Sequence, residues 1–348
     1  MSNNKIRVVV QNPYFIFNEQ QKNFNGYNFK FVEKYCDSIL LYRSPLDYLK
    51  YRRRLKELGW NKKIYLLPSK ACSDSDALVC FNGCAYMRIN QPPKAYKKNK
   101  FFHVMDFTDS ISKSSENLSS ANYLLGYCQH DRFSPFFRKY YNNFQDRVIA
   151  VPFGYGCRFV NEVPIENRIN KCIALGAVNP VDDPLMSGDS LKEYRDFYSS
   201  HTYSHEIRKA IVDNIDKWGD CFDSRLPVFP ETKNSKYDAV EELNRYTMFI
   251  NDASLDQYPP ARTYEGIACG CVMVAEDLDV YKTLGFINGK NCILFPKGNY
   301  DCMLSKIKYF MAHLEELKLI QKESIKLSLN FTHEKIADNL YLDICSKL

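Results

Sequence analysis

Gln257-Tyr-Pro-Pro-Ala-Arg-Thr-Tyr-Glu-Gly-Ile-Ala-Cys-Gly-Cys-Val-Met-Val-Ala-Glu276 is the stretch whose reading decides the fold. Its two prolines mark a loop. The residues behind them form a short helix carrying Glu265, Gly270 makes a turn, and Cys271 to Ala275 is an unbroken apolar strand. Met248 to Asn251, just upstream, reads as another short strand, so the unit is strand, loop, helix, strand. Such a unit presents a helix N-terminus at the strand ends, where free N–H groups and the helix dipole hold phosphate. Arg262 and Thr263 stand at that helix start, Thr263 as an N-cap and Arg262 as a guanidinium for a diphosphate. Glu265, one turn in, is placed to accept hydrogen bonds from sugar hydroxyls, while Tyr258, Pro259 and Pro260 shape the loop beside it. Diphosphate and sugar in one place imply a nucleotide sugar. Cationic groups that stabilise the departing diphosphate remove the need for a metal.

Outward from this unit, short apolar strands alternate with helices along the whole chain. Ile6 to Val10, Ser38 to Tyr42, Ile64 to Leu67, Ala77 to Phe81, Phe101 to Met105, Tyr123 to Gly126 and Val148 to Val151 read as strands, and Cys172 to Leu175 restarts the pattern. Pro45 to Trp60, Glu206 to Trp218, Ala239 to Tyr246 and Leu304 to Leu329 read as helices. Thr332 caps a last helix with Ile336, Leu340 and Ile344 on one face. Alternation of this kind gives an α/β protein with parallel sheets covered on both faces. A chain of 348 residues carries roughly two such domains.

Two further segments share an order with the opening one. Arg147-Val-Ile-Ala-Val-Pro-Phe-Gly154-Tyr-Gly-Cys-Arg-Phe159 and Lys171-Cys-Ile-Ala-Leu-Gly176-Ala-Val-Asn-Pro180 precede Tyr264-Glu265-Gly-Ile-Ala-Cys-Gly270. In this order they resemble the interdomain link, the first C-terminal strand and the C-terminal signature of GT-B glycosyltransferases of the group-1 and spore-coat-like type. The resemblance covers the chain from about residue 120 to the end. It implies two Rossmann-like domains facing a cleft: an acceptor-binding domain over 1–160, a nucleotide-sugar-binding domain over 161–330, and a helix over 331–348 crossing back to the first. It implies a metal-independent transferase that uses no cofactor beyond its nucleotide-diphosphate sugar and retains the anomeric configuration. Glu265 would bind the donor ribose, with Gly154, Gly176, Asn179, Gln257, Tyr258, Pro260, Arg262 and Thr263 around the donor. Asp106, after a strand of the first domain, would hold an acceptor hydroxyl or act as base; a turn or cap role is the alternative.

The chain departs from the family in three places. Gln257 stands where a second Glu often lies, eight positions before Glu265, and can donate and accept hydrogen bonds but carries no charge. Asn179-Pro-Val-Asp-Asp183 is acidic where the family has a basic residue, leaving the phosphate to Arg262. Asn12-Pro13-Tyr14 replaces the Gly-rich loop after the first strand, so acceptor contacts do not transfer.

Composition narrows the partners. No apolar run approaches the roughly 20 residues that span a bilayer, and the N-terminus reads as no signal peptide, so a cytoplasmic protein is expected. The 13 cysteines, including Cys80/Cys84 and Cys269/Cys271, lack zinc-ligand company and read as reduced, buried thiols. The net charge of +6 gathers in Lys50-Tyr-Arg-Arg-Arg-Leu-Lys56 and Lys94-Ala-Tyr-Lys-Lys-Asn-Lys100. These read either as a solvated helix face and loop or as contact with an anionic partner, a charged glycan or the inner face of a membrane; no nucleic-acid motif accompanies them. Two Asp-x-Asp strings, Asp74-Asp76 and Asp277-Asp279, match the metal-binding tripeptide of GT-A enzymes, but such strings are common by chance. The expected partners are a nucleotide sugar and a glycan or lipid-linked acceptor, in cell-surface polysaccharide synthesis. A non-catalytic carbohydrate- or nucleotide-binding subunit and a nucleotide-sugar epimerase are the rival readings.

Overall fold

The computed structural model describes residues 6–18, 26–42, 45–81, 91–104, 118–182, 192–228 and 237–348. Asp106 and Cys84 lie outside them. The chain divides into two compact units, Met1–Pro152 with Asp189–Glu193 and His333–Leu348, and Phe153–Gly188 with Tyr194–Thr332.

The first unit is built on seven strands: β1 (Val8–Gln11), β2 (Cys36–Leu40), β3 (Lys63–Tyr65), β4 (Ala77–Cys80), β5 (Asn99–His103), β6 (Tyr123–Gly126) and β7 (Val148–Ala150). All pairs are parallel, in the order β3-β2-β1-β4-β5-β6-β7. Val8, Val9 and Val10 are fully buried, as expected of a central strand covered on both faces. α1 (Gly26–Tyr35) and the basic α2 (Tyr48–Glu57) are two of its helices. The strand expected to reach Leu67 stops at Tyr65, because Leu66 and Leu67 are exposed beyond the edge of the sheet.

The second unit holds β8 (Ile169–Leu175), β9 (Phe222–Arg225), β10 (Tyr246–Asn251), β11 (Val272–Glu276) and β12 (Ile293–Phe295), parallel in the order β12-β11-β10-β8-β9. Its helices include α3 (Glu206–Asp213), α4 (Ala239–Arg245), α5 (Ala261–Ala268), α6 (Asp279–Thr283), α7 (Tyr300–Ala312) and α8 (Leu314–Ser328). Side chains alternate across the sheet. Cys172, Ala174, Met248, Ile250, Val272 and Val274 face one core, closed by Met303 and Ile307 of α7 and Leu317 and Ile320 of α8. On the β10 residue between, Phe249 meets Gly266 of α5; a Cβ at Gly266 would lie 2.4 Å from its ring. The glycine therefore lets the helix bearing Glu265 lie directly on the strand.

α9 (His333–Ser346) closes the first unit. Ile336, Ala337, Leu340 and Ile344 are buried on one face, the i, i+4, i+8 stripe of an amphipathic helix. Tyr341 stacks on Tyr35 of α1 with ring centroids 4.1 Å apart, and Asp338 accepts hydrogen bonds from Tyr35 (2.7 Å) and Lys34 (2.6 Å).

Just before β8, Arg168 is only 6% exposed and is ringed by neutral acceptors. It donates to the carbonyls of Val163, Leu243, Tyr246 and Cys269 and to the side-chain oxygens of Asn161 and Asn244. Arg168→Met leaves those buried acceptors without a donor, and is expected to lower stability by about 3–5 kcal/mol. Urea unfolding followed by circular dichroism measures it; a loss under about 1 kcal/mol contradicts the role.

Candidate functional site

In the second sheet β9 lies to one side of β8 and β10 to the other, so the winding reverses between β8 and β10. Open α/β sheets place their ligands outside the carboxyl ends of the strands at such a switch point. Two loops meet there, Gly176 to Asn179 after β8 and Asp252 to Pro260 after β10.

Gly176 adopts φ +114°, and a Cβ on it would lie 2.8 Å from Nη1 of Arg208. Glycine is required on both counts. Arg208, in the first turn of α3, is 9% exposed and donates from Nη1 to the Ala177 carbonyl at 3.1 Å. Its backbone N–H donates to Asp252 Oδ2 at 3.2 Å. Burial lowers the Arg208 pKa, the attraction of Asp252 opposes this, and the nearby charge of Arg262 lowers it further.

Asp252 is 4% exposed. Burial alone would raise its pKa, but His205, whose Nδ1 lies 3.5 Å away, the charge of Arg208 and the Ser254 N–H together hold it at about 2. Burial followed by the Arg208 charge lowers the His205 pKa, against the opposing pull of Asp252. The Ser254 N–H donates to Asp252 Oδ1 at 3.0 Å and sets the loop. Ser254 (φ +58°) and Gln257 (φ +55°) both occupy the left-handed region that costs a non-glycine residue about 1–2 kcal/mol. Tyr198 helps to hold the loop, donating to Asp256 Oδ1 at 2.9 Å.

α5 begins after Pro260, which is its N-cap. The N-cap expected of Thr263 is therefore not made. Thr263 is fully buried one turn in, and its hydroxyl accepts from Asn251 Nδ2 at 2.8 Å. The same Nδ2 also donates to the Tyr281 hydroxyl at 2.8 Å, so the end of β10 is tied to α5 and α6 together. Thr263 positions the helix.

Arg262 and Glu265 lie one turn apart. Arg262 Nε is 3.4 Å from Glu265 Oε2, while its Nη1 is buried and makes no hydrogen bond among the described residues. The guanidinium carbon lies 5.8 Å from the centre of the Tyr237 ring. Glu265 is 9% exposed; burial raises its pKa, against the lowering pull of Arg262 and Arg158. Arg208 and Arg262 are thus two cations within electrostatic reach of one another, beside a buried carboxylate and at the carboxyl ends of two adjacent strands. An anion placed between them relieves their repulsion.

The remaining sequence candidates fall as follows. Asn179 is half-buried after β8, and its Oδ1 has no hydrogen-bond partner among the described residues. Gln257, Tyr258 and Pro260 are half-buried in the β10 loop, with the Tyr258 ring 6.4 Å from that of Phe153. Gly154 takes φ +65°, and Tyr155 beside it is buried, its N–H donating to the Phe331 carbonyl at 3.0 Å. Both Asp-x-Asp strings are held by cations: Asp74 by Lys63, Asp76 by Arg7, and Asp277 and Asp279 by Lys282. Among the described residues no group of three or more His, Cys, Asp or Glu side chains could hold a metal. Cys80, Cys269 and Cys271 are buried, and His103 is a core residue whose pKa burial lowers to about 4.

Arg208 is the residue that sequence reasoning missed. The helix starting at Glu206 was expected, but its cation lies between Ile207 and Ile211, both buried on the apolar stripe. A charge inside an apolar stripe is the available signal.

With this geometry in hand, the chain can be set beside known proteins. Residues 205–341 match a family model described as glycosyl transferase-like. No curated protein matches the chain. Three solved structures share its architecture: Anabaena HepE bound to UDP-glucose, with 10% identity, TM-score 0.55 and coverage of 99% of this chain and 100% of that one; a glycosyltransferase from Rickettsia africae, with 12% identity, TM-score 0.51 and coverage of 98% and 99%; and sucrose-phosphate synthase from Thermosynechococcus elongatus, with 11% identity, TM-score 0.51 and coverage of 99% and 100%. The fold is that of GT-B glycosyltransferases, two Rossmann-like units on parallel sheets. On that fold, residues 205–341 carry a glycosyl transferase-like domain.

The raised Glu265 pKa carries a sign. A carboxyl with a higher pKa folded than unfolded contributes stability in its protonated form, fully present below the unfolded value of 4.5 and lost as pH rises through the folded one. Wild type should therefore lose stability relative to Glu265→Gln as the pH is raised from 4.5. Chemical denaturation of both proteins across pH checks this, and a constant difference contradicts it.

Proposed function

We propose that the chain transfers a sugar from a nucleotide-diphosphate donor held at the carboxyl ends of β8 and β10. The observation that carries this reading is Arg208 packed against Gly176 within electrostatic reach of Arg262, with Glu265 one turn into α5. The guanidinium groups take the diphosphate, and the Glu265 carboxylate accepts from hydroxyls of the ribose. The bond between the anomeric carbon and the phosphate oxygen breaks as a bond to an acceptor oxygen forms. The two guanidinium groups stabilise the charge that develops on the departing diphosphate, a metal not being required.

The reaction retains the anomeric configuration, with the acceptor proton passing to the departing phosphate. The acceptor is a glycan or a lipid-linked sugar, and the setting is cell-surface polysaccharide synthesis on the cytoplasmic side of a membrane. A lipid-linked acceptor is met at the membrane surface, and no helix among the described residues is long and apolar enough to cross a bilayer.

Because HepE was captured with UDP-glucose, UDP is the first nucleotide to try. UDP at 100 times its Kd should stabilise the protein by about 2.7 kcal/mol, with or without EDTA. Arg262→Met and Arg208→Met should each weaken binding by about 10- to 100-fold. Thermal shift against UDP, GDP, ADP, TDP and CMP reads both. A shift seen only with added metal, or only with CMP, overturns the diphosphate reading. Binding of the nucleotide sugar without turnover favours a non-catalytic subunit, and interconversion of the sugar without transfer favours an epimerase.

A further inference from the structure

Four large apolar side chains stand out in the solvent at one corner of the first unit. Leu46 is 97% exposed, Leu49 74%, Leu67 65% and Leu66 43%. They share that corner because β2 and β3 are parallel neighbours, with Leu40 level with Tyr65. The chain leaves both strands on the same rim of the sheet, where the Leu41 N–H donates to the Tyr65 carbonyl at 2.9 Å. Leu46 and Leu49 follow β2 into the start of α2; Leu66 and Leu67 follow β3, the edge strand.

Cations surround them. α2 buries Tyr51 and Leu55 against the unit and turns Leu49, Lys50, Arg52, Arg53 and Lys56 outward. Glu57 is the one acid of that exposed face, paired with Arg53 at 3.0 Å. Lys70, two residues past Pro68, is exposed after β3 and pairs with Asp74 at 3.7 Å. The second basic cluster of the sequence differs. Lys98 pairs with Asp76 at 3.7 Å, and Lys100 is 8% exposed with its ammonium on the Tyr96 carbonyl at 3.2 Å. Those lysines hold the fold, while on α2 Arg53 pairs with Glu57, Lys50 lies 4.5 Å over the Phe17 ring, and Arg52 and Lys56 stand on the exposed face.

We infer that the corner formed by Leu46, Leu49, Leu66 and Leu67 with the basic face of α2 is a docking surface for an anionic lipid bilayer. A protein partner would need a shaped pocket for each protruding leucine. A bilayer needs none: isolated leucines enter the acyl boundary and interleaved Lys and Arg meet the headgroups. The charge complementarity is diffuse, as a surface of anionic lipid requires. This surface gives the lipid-linked acceptor proposed above a place to be met. It rests on that reading for its purpose alone, since vesicle binding is measured without donor or acceptor.

The test is sedimentation of the full chain with vesicles of phosphatidylcholine alone or with about one third phosphatidylglycerol, at low and high salt. Binding is expected to the anionic vesicles and to fall as salt rises. Leu46→Ser with Leu49→Ser should weaken it by about tenfold or more, and Lys50→Glu with Arg53→Glu by a similar factor. Both variants should keep the wild-type UDP thermal shift, which shows that they fold and separates failure at this surface from failure of the donor reading. Absence of binding, equal binding to neutral vesicles, or binding unaffected by either pair overturns the inference. So does a wild-type dimer that Leu46→Ser with Leu49→Ser converts to monomer, which would make the corner a contact between copies.

Discussion

Arg168 holds together the segments from which the second unit is assembled. Its guanidinium reaches the carbonyls of Leu243 and Tyr246, between which α4 gives way to β10, and the carbonyl of Cys269, which caps the end of α5. Its own backbone leads into β8. The strand that ends at Gly176, the strand that ends at Asp252 and the helix that carries Arg262 and Glu265 are thus referred to a single buried group. Among the described residues no carboxylate hydrogen-bonds to it; six neutral acceptors replace the water the charge has lost. Such an arrangement leaves little slack, because each lost acceptor exposes an uncompensated part of the charge.

At the opposite ends of the same strands the balance is deliberately incomplete. Arg208 faces Asp252, and Arg262 faces Glu265, yet among the described residues Arg262 keeps a buried Nη1 without a hydrogen bond. Burial disfavours ionisation of both Arg208 and Glu265. For the proposed diphosphate, these two cations and two partly committed carboxylates have their charges already in place, which keeps the reorganisation cost low. The left-handed Ser254 and Gln257 are a further local cost, held by the Asp252 turn and by Tyr198 on Asp256.

Much of this was legible from residues. Continuous apolar runs such as Val8 to Val10 and Val272 to Ala275 can only be strands buried on both faces, and Gly270 can only end the helix before them, with φ +71°. Other elements were not legible. β9 reads Phe222-Asp-Ser-Arg225, three of its four residues polar because it is an edge strand, and β12 has three residues. Thr263 carries the residue type of an N-cap, but Pro260 takes that position and Asn251 draws the threonine hydroxyl inward. The Asp-x-Asp strings needed the positions of Lys63, Arg7 and Lys282 before they could be read as ion pairs.

The sequence by itself determined the alternation of strand and helix, the parallel α/β class, and the helix on which Glu265 and Arg262 sit, because these follow from periodicity and from the conformational limits of glycine and proline within a few residues. Only the tertiary structure decided which groups share a space. Arg208 is 54 positions before Arg262, and the two come within electrostatic reach because β8 and β10 are neighbours in the sheet although β9 separates them in the chain. Leu46 and Leu66 share a rim for the same reason, the parallel pairing of β2 with β3. Local chemistry sets the elements; strand order, a property of the whole sheet, sets the site.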